Sequence, residues 1–110
     1  MGAPVAARAQ PAVQHVLVWF HHPPYSPGDH GDNQGVVDLW TRYFQDPRNK
    51  ISAVFSGHDH IYARMSDGSP VAYVVSGGAG ADLYPDTGDS RAQRVTSAST
   101  LNFVNVRLEG

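Results

Sequence analysis

Five of the six histidines in this 110-residue sequence fall between positions 21 and 60: His21, His22, His30, His58 and His60. Neutral imidazole is a ligand for zinc, iron, manganese and related ions, and imidazolium is a proton donor near neutral pH. His58 and His60 form a His-x-His pair. In extended backbone side chains alternate with period two, so both rings lie on one face and can address one metal ion or two adjacent ones. The same alternation turns Asp59 away, toward a supporting or surface role. It also sets the neighbouring rings of His21 and His22 on opposite faces, so that one of them packs or hydrogen-bonds elsewhere. A His-x-His pair alone is equally read as surface or capping residues; histidines at two strand ends shift the reading to metal. His15 has no such company and reads as structural.

The elements that must carry these residues are visible as changes of pattern. From Val13 the sequence VQHVLVWF is apolar and β-branched with no alternation after His15, which suits a strand covered on both faces and ending at His21. Residues 23–35 gather prolines, glycines, aspartates and an asparagine into a structured loop. Val36, Val37, Trp40, Tyr43 and Phe44 then recur at helical spacing, with Asn33 as cap and Asp46-Pro47 as terminator. A second apolar strand, residues 51–55, runs into Ser56-Gly57-His58-Asp59-His60, and a third, residues 71–75, into Ser76-Gly77-Gly78-Ala79-Gly80-Ala81. That glycine stretch lacks the Gly-Lys-Ser/Thr ending of a P-loop and reads as a turn or a close backbone approach. Residues 82–100 read as an exposed polar excursion, and residues 101–108, LNFVNVRL, as a final strand. The order predicts an α/β layer fold, parallel part first, with a hairpin as one possible ending. In such sheets ligands bind outside the carboxyl ends of strands, where His21 and the His58/His60 pair stand.

Composition narrows the function classes. With 41% hydrophobic and 16% charged residues the chain has the make-up of one packed domain. Residues 1–12 read as a lead-in segment and residues 13–110 as the domain. A formal charge of -2 gives no footprint for nucleic-acid or anionic-membrane binding. The absence of cysteine removes disulfides, thiolate metal sites and a cysteine nucleophile. No apolar run approaches the roughly 20 residues of a membrane span. The first fourteen residues show no signal peptide, so the chain reads as soluble with its compartment open.

Taken together, His21-His22-Pro23-Pro24-Tyr25-Ser26, then His30-Gly31, then Val54-Phe55-Ser56-Gly57-His58-Asp59-His60-Ile61-Tyr62 resemble the last two sequence blocks of calcineurin-like metallophosphoesterases, purple acid phosphatases in particular. The resemblance implies the C-terminal half of an α/β/β/α sandwich, a mixed sheet with a flanking helix. It implies His21 and His58 as ligands of one metal ion and His60 as ligand of a second, the ions being iron, zinc or manganese. His30, nine residues after His21, matches a histidine that contacts the phosphate or helps protonate the leaving group. A simpler reading of His30 is a solvent-exposed loop residue. The implied substrate is a phosphate mono- or diester, and relatives among acid phosphatases are often exported.

Three N-terminal blocks of that family have no counterpart here: an Asp-x-His, the Gly-Asp block whose aspartate bridges the metals, and a Gly-Asn-His. The expectation is therefore a C-terminal portion that binds at most one ion weakly by itself, self-associates through an uncovered sheet face, or is complemented by a missing N-terminal half. The alternative is a catalytically inactive remnant or a metal-binding interaction module. A mononuclear three-histidine zinc hydrolase has only the histidine count behind it.

Overall fold

The computed structural model describes residues 9–109, so most of the lead-in expected over residues 1–12 lies outside the described residues. Strand β1 (Val16–Trp19) is followed by the proline-rich loop, helix α1 (Gln34–Gln45) and a 3-10 turn (Pro47–Asn49). Strands β2 (Ile51–Ser56), β3 (Tyr62–Ser66), β4 (Ala72–Ser76) and β5 (Gln93–Ala98) complete a five-stranded sheet of order β1-β2-β4-β3-β5. β1, β2 and β4 are parallel; β3 runs antiparallel to both β4 and β5. The sheet is thus mixed, with its parallel part first, and its single described helix flanks it.

Helix α1 starts where the sequence places it, because the Asn33 side chain accepts a hydrogen bond from the Val36 N–H at 3.1 Å. It ends at Asp46, before Pro47, which cannot continue it. Its inner face meets the sheet through Phe44, which stacks on Phe20 and Trp40 and tilts against Tyr73. On the sheet, Val18, Val54, Tyr73 and Met65 stand in adjacent register across four strands and are all buried. This row and Phe44 form the centre of the core.

The opposite face of the sheet is different. Trp19, Phe55 and Val74 share one register row there, and Trp19 stacks on Phe55 with centroids 5.2 Å apart. Trp19 is 65% exposed, which corrects the expectation of a first strand covered on both faces. The reason is that, among the described residues, no helix or strand covers this face at Trp19; residues 104–108 line a groove that reaches β1 at Leu17 without forming a strand. Leu101, Phe103 and Leu108 stay exposed beside it.

Two further expectations are corrected. Residues 101–108 have strand composition but form no strand; their described backbone bond is Asn102 N–H to Gly78 O at 3.2 Å, beyond the end of β4. Instead β5 forms inside the stretch read as an exposed excursion, as an edge strand exposed along nearly its whole length. β3, which the apolar pattern did not reveal, alternates buried Ala63 and Met65 with exposed Arg64 and turns into β4 through Asp67-Gly68, with Gly68 at φ +89°. Among the described residues no helix is long and apolar enough to cross a membrane.

Because Phe44 is 1% exposed and touches three aromatic neighbours, Phe44→Ala should cost about 3–5 kcal/mol of folding free energy. Leu39→Ala on the outer helix face, at 76% exposure, should cost under about 0.5 kcal/mol. Urea unfolding followed by circular dichroism measures both.

Candidate metal centre

The parallel strands β1, β2 and β4 all end at one edge of the sheet, and the histidines collect there. β1 closes at Trp19, two residues before His21, yet its pairing persists past the strand end. Phe20 N–H donates to Phe55 O at 3.1 Å, and Gly57 N–H donates to His21 O at 3.1 Å. These bonds set His21 beside the turn that follows β2. His58 Nδ1 lies 3.2 Å from His21 Nε2. Two nitrogens on one tetrahedral zinc ion, with bonds of 2.0–2.1 Å, sit roughly 3.3–3.4 Å apart, so this pair fits one ion with little movement.

The His-x-His pair is not extended, which corrects the reading that both of its rings share a face. His58 has φ +66°, a left-handed backbone that costs a non-glycine residue about 1 kcal/mol or more. Asp59 N–H bonds to Gly57 O at 2.8 Å and Ile61 N–H to Asp59 O at 2.9 Å, so the chain doubles back within the motif. His58 therefore joins His21, while His60 turns to the segment after β4. There its Nδ1 lies 2.7 Å from Asp82 O. A carbonyl can only accept, so Nδ1 carries the proton and Nε2 keeps its lone pair free for a metal. The His60 ring stacks on Tyr84 at 4.0 Å.

His22 lies in a bend beyond the end of β1, where period-two alternation no longer applies. Its ring meets His21 edge-on at 4.9 Å and His58 at 4.4 Å. His30 stacks on His58 at 4.0 Å and meets the edge of Tyr84 at 5.4 Å. All five histidines and Tyr84 thus make one connected surface patch. His21, His22 and His30 are exposed; His58 and His60 are half-buried. His15 stands apart, bonded to Ser52 Oγ at 2.7 Å.

Asp59, read from sequence as pointing toward a supporting or surface position, is fully buried. Its carboxyl group accepts hydrogen bonds from the Ser26 hydroxyl and from the His30 N–H, the latter at 2.9 Å. Gly28 packs directly on it, since a Cβ there would come within 2.6 Å of Asp59 Cγ. Gly77 approaches from β4, where a Cβ would stand 2.0 Å from the Asp59 carbonyl oxygen. That close approach is the use of the glycine stretch.

A second internal carboxylate, Asp32, was not legible as a site residue. It accepts Ser26 N–H at 2.9 Å, Ser90 Oγ–H at 2.7 Å and Arg91 N–H at 2.8 Å. Thr87 N–H donates to Pro27 O at 2.8 Å, and Gly28 bridges Asp86. The segment read as an exposed excursion is therefore tied over the histidine loop and delivers Tyr84 to it. No periodic pattern announces Tyr84, because its position depends on these bonds and on its own N–H, which donates to His60 O at 3.1 Å.

Burial, and then the neighbouring imidazoles of His30, His22 and His21, hold the His58 ring below the usual histidine range, against an opposing pull from Asp59. The neutral ring that a metal requires is thus favoured at neutral pH. Imidazoles of this kind suit zinc, iron or manganese, so the donor set fits such an ion.

No protein-family model matches the sequence, and no curated protein matches it. Solved structures do match. One chain, described as GAP50, the anchor in the inner membrane complex of Plasmodium, superposes with a TM-score of 0.74 at 17% identity. The match covers 90% of this chain and 31% of that one, so this chain spans about a third of its length. The likeness establishes a shared fold; chemistry has to be argued from the site.

Two outcomes follow from this geometry. Asp59→Ala strips two donors of their acceptor and should cost about 2–6 kcal/mol, at about 1–3 for each. It should also raise the hydrogen-exchange rate of the His30 amide, and amide-resolved NMR reads both effects. In an NMR titration the His58 ring should protonate below its ordinary value near 6.5, and His30→Ala should move it upward. Because the folded value is depressed, the His58 contribution to stability is intact above about pH 6.5 and is lost as pH falls through the folded value.

Proposed function

We propose that this chain carries the C-terminal part of the metal site of a phosphoesterase that hydrolyses phosphate mono- or diesters. The observation that carries the reading is the 3.2 Å separation of His21 Nε2 and His58 Nδ1 at the carboxyl edge of parallel strands, with His30 stacked on His58. In this reading His21 and His58 hold one ion and His60 presents its free Nε2 to a second. When bound, such ions lower the pKa of a water and offset charge on the phosphoryl oxygens. The chain's own residues do the rest. Asp82 O fixes the His60 tautomer, Asp59 anchors the backbone at His30, and the exposed His30 ring donates a proton to the departing alkoxide oxygen. The resemblance to metallophosphoesterases rests on the same residues.

The reading needs carboxylates that offset repulsion between two cations, and the ligand group among the described residues is made of imidazoles. We therefore include a segment outside these residues, in the same polypeptide or another, that brings them and covers the open face at Trp19. A second reading, an inactive remnant or metal-binding interaction module, is favoured by that imidazole-only set and by a fold neighbour described as an anchor.

The test is hydrolysis of an aryl phosphate with added zinc, iron or manganese, run on the chain and on the longest translation product containing it. Metal-dependent turnover should fall at least about 100-fold in His30→Ala, as loss of a general acid implies. It should be abolished in His21→Ala and His58→Ala. If neither protein turns over with any of these metals, the phosphoesterase reading is wrong and the non-catalytic module stands.

A further inference from the structure

We infer that His22 is a ligand, and that His21, His22 and His58 together form a three-imidazole site able to hold one divalent transition ion within this chain alone. The inference rests on the reading that His21 and His58 share an ion, and it does not require phosphoester hydrolysis.

One ring nitrogen from each of the three residues lies within 4.8 Å of the other two. The His21 and His58 nitrogens already stand at 3.2 Å. Closing the third vertex to the roughly 3.3–3.4 Å of a tetrahedral site takes rotation of the His22 side chain. His22 is exposed, so that rotation meets little packing. The backbone supplies the rest of the arrangement. β1 stops at Trp19, the chain bends through residues 21 and 22, and buried Pro23 and Pro24 follow, so two adjacent rings meet edge-on at 4.9 Å instead of facing opposite ways. His60 is drawn off by Asp82 O and Tyr84 and is not part of this group.

Three neutral imidazoles leave the fourth tetrahedral position to water, a donor set suited to zinc or cobalt. Without carboxylate ligands the site gives no charge compensation for a second cation close by, so the stoichiometry is one. The assignment also separates two sets of histidines that the sequence groups together. His21, His22 and His58 bind this ion; His60 does not.

The experiment is titration of the untagged chain with zinc by calorimetry and with cobalt by visible absorption, at a pH above the histidine range. One equivalent should bind. His22→Ala should weaken binding at least about tenfold, the lower bound of what even supporting residues at metal sites cost, and His15→Ala, at a histidine bonded to Ser52 outside the patch, should leave it unchanged. If His22→Ala fails to fold, His22→Gln, which keeps a polar side chain without a strong nitrogen donor, should still weaken binding about tenfold, and unweakened binding in His22→Gln would overturn the inference. Binding that His22→Ala leaves unweakened would overturn the inference while leaving the phosphoesterase reading intact. Absence of turnover with the trio binding as described would do the reverse.

Discussion

Asp59 lies between the two histidines of the motif with no solvent exposure, and it is the residue at which the motif, the loop of residues 26–30 and the turn after β4 meet. It accepts from Ser26 and from the His30 backbone, while Gly28 and Gly77 press against its side chain and its carbonyl. A buried carboxyl group is costly unless its hydrogen bonds are supplied, so the loop of residues 26–30 has to stay where those donors are. The consequence is that His30 is carried to the face of His58, and the left-handed backbone of His58 is held by contacts on both sides. The arrangement of the histidine patch follows from this one burial more than from the sheet beneath it.

The sheet contributes direction. Three parallel strands end at one edge, and residual backbone bonds beyond β1 lock His21 to Gly57. The resulting patch is open, aromatic and rich in imidazole, with three of its five histidines exposed. Burial and then the neighbouring imidazoles lower the protonation of His58, which keeps a lone pair on its ring, but those imidazoles bring no negative charge. That balance favours one borderline-soft ion and leaves a dinuclear centre dependent on carboxylates from elsewhere. The exposed Trp19 on the uncovered sheet face and the shared fold with about a third of a longer chain are both in keeping with such a supply. A common fold at 17% identity is compatible with an enzyme or with an anchor, so the ligand set has to decide between them.

Much of the architecture was legible because it is encoded locally. Helix α1 shows its apolar spacing, its Asn33 cap and its Pro47 stop within one short stretch, and β2 and β4 are short, mostly apolar runs. β3 and β5 were not legible. Arg64 lies on the less covered face, and β5 is an edge strand with no buried face, so neither carries an apolar signature. Conversely, residues 101–108 have strand-like side chains and form no strand. Strand composition states a preference; a hydrogen-bonding partner decides whether it is used.

At the site, residue type and position at strand ends were enough to single out His21, His58 and His60 and to suggest a metal, because ligand chemistry belongs to the side chain itself; His30 entered through the family resemblance. Which rings meet was settled only in three dimensions. Period-two alternation assigned His21 and His22 to opposite faces and His58 and His60 to the same one, and the structure has it the other way round. The physical reason is that both pairs lie just beyond a strand end, where the ladder no longer dictates side-chain direction. There the bend before Pro23 and the positive φ of His58 take over. These are maintained by the buried Asp59 contact with residues 26–30 and by the Asp82 and Tyr84 contacts to His60, all distant in sequence.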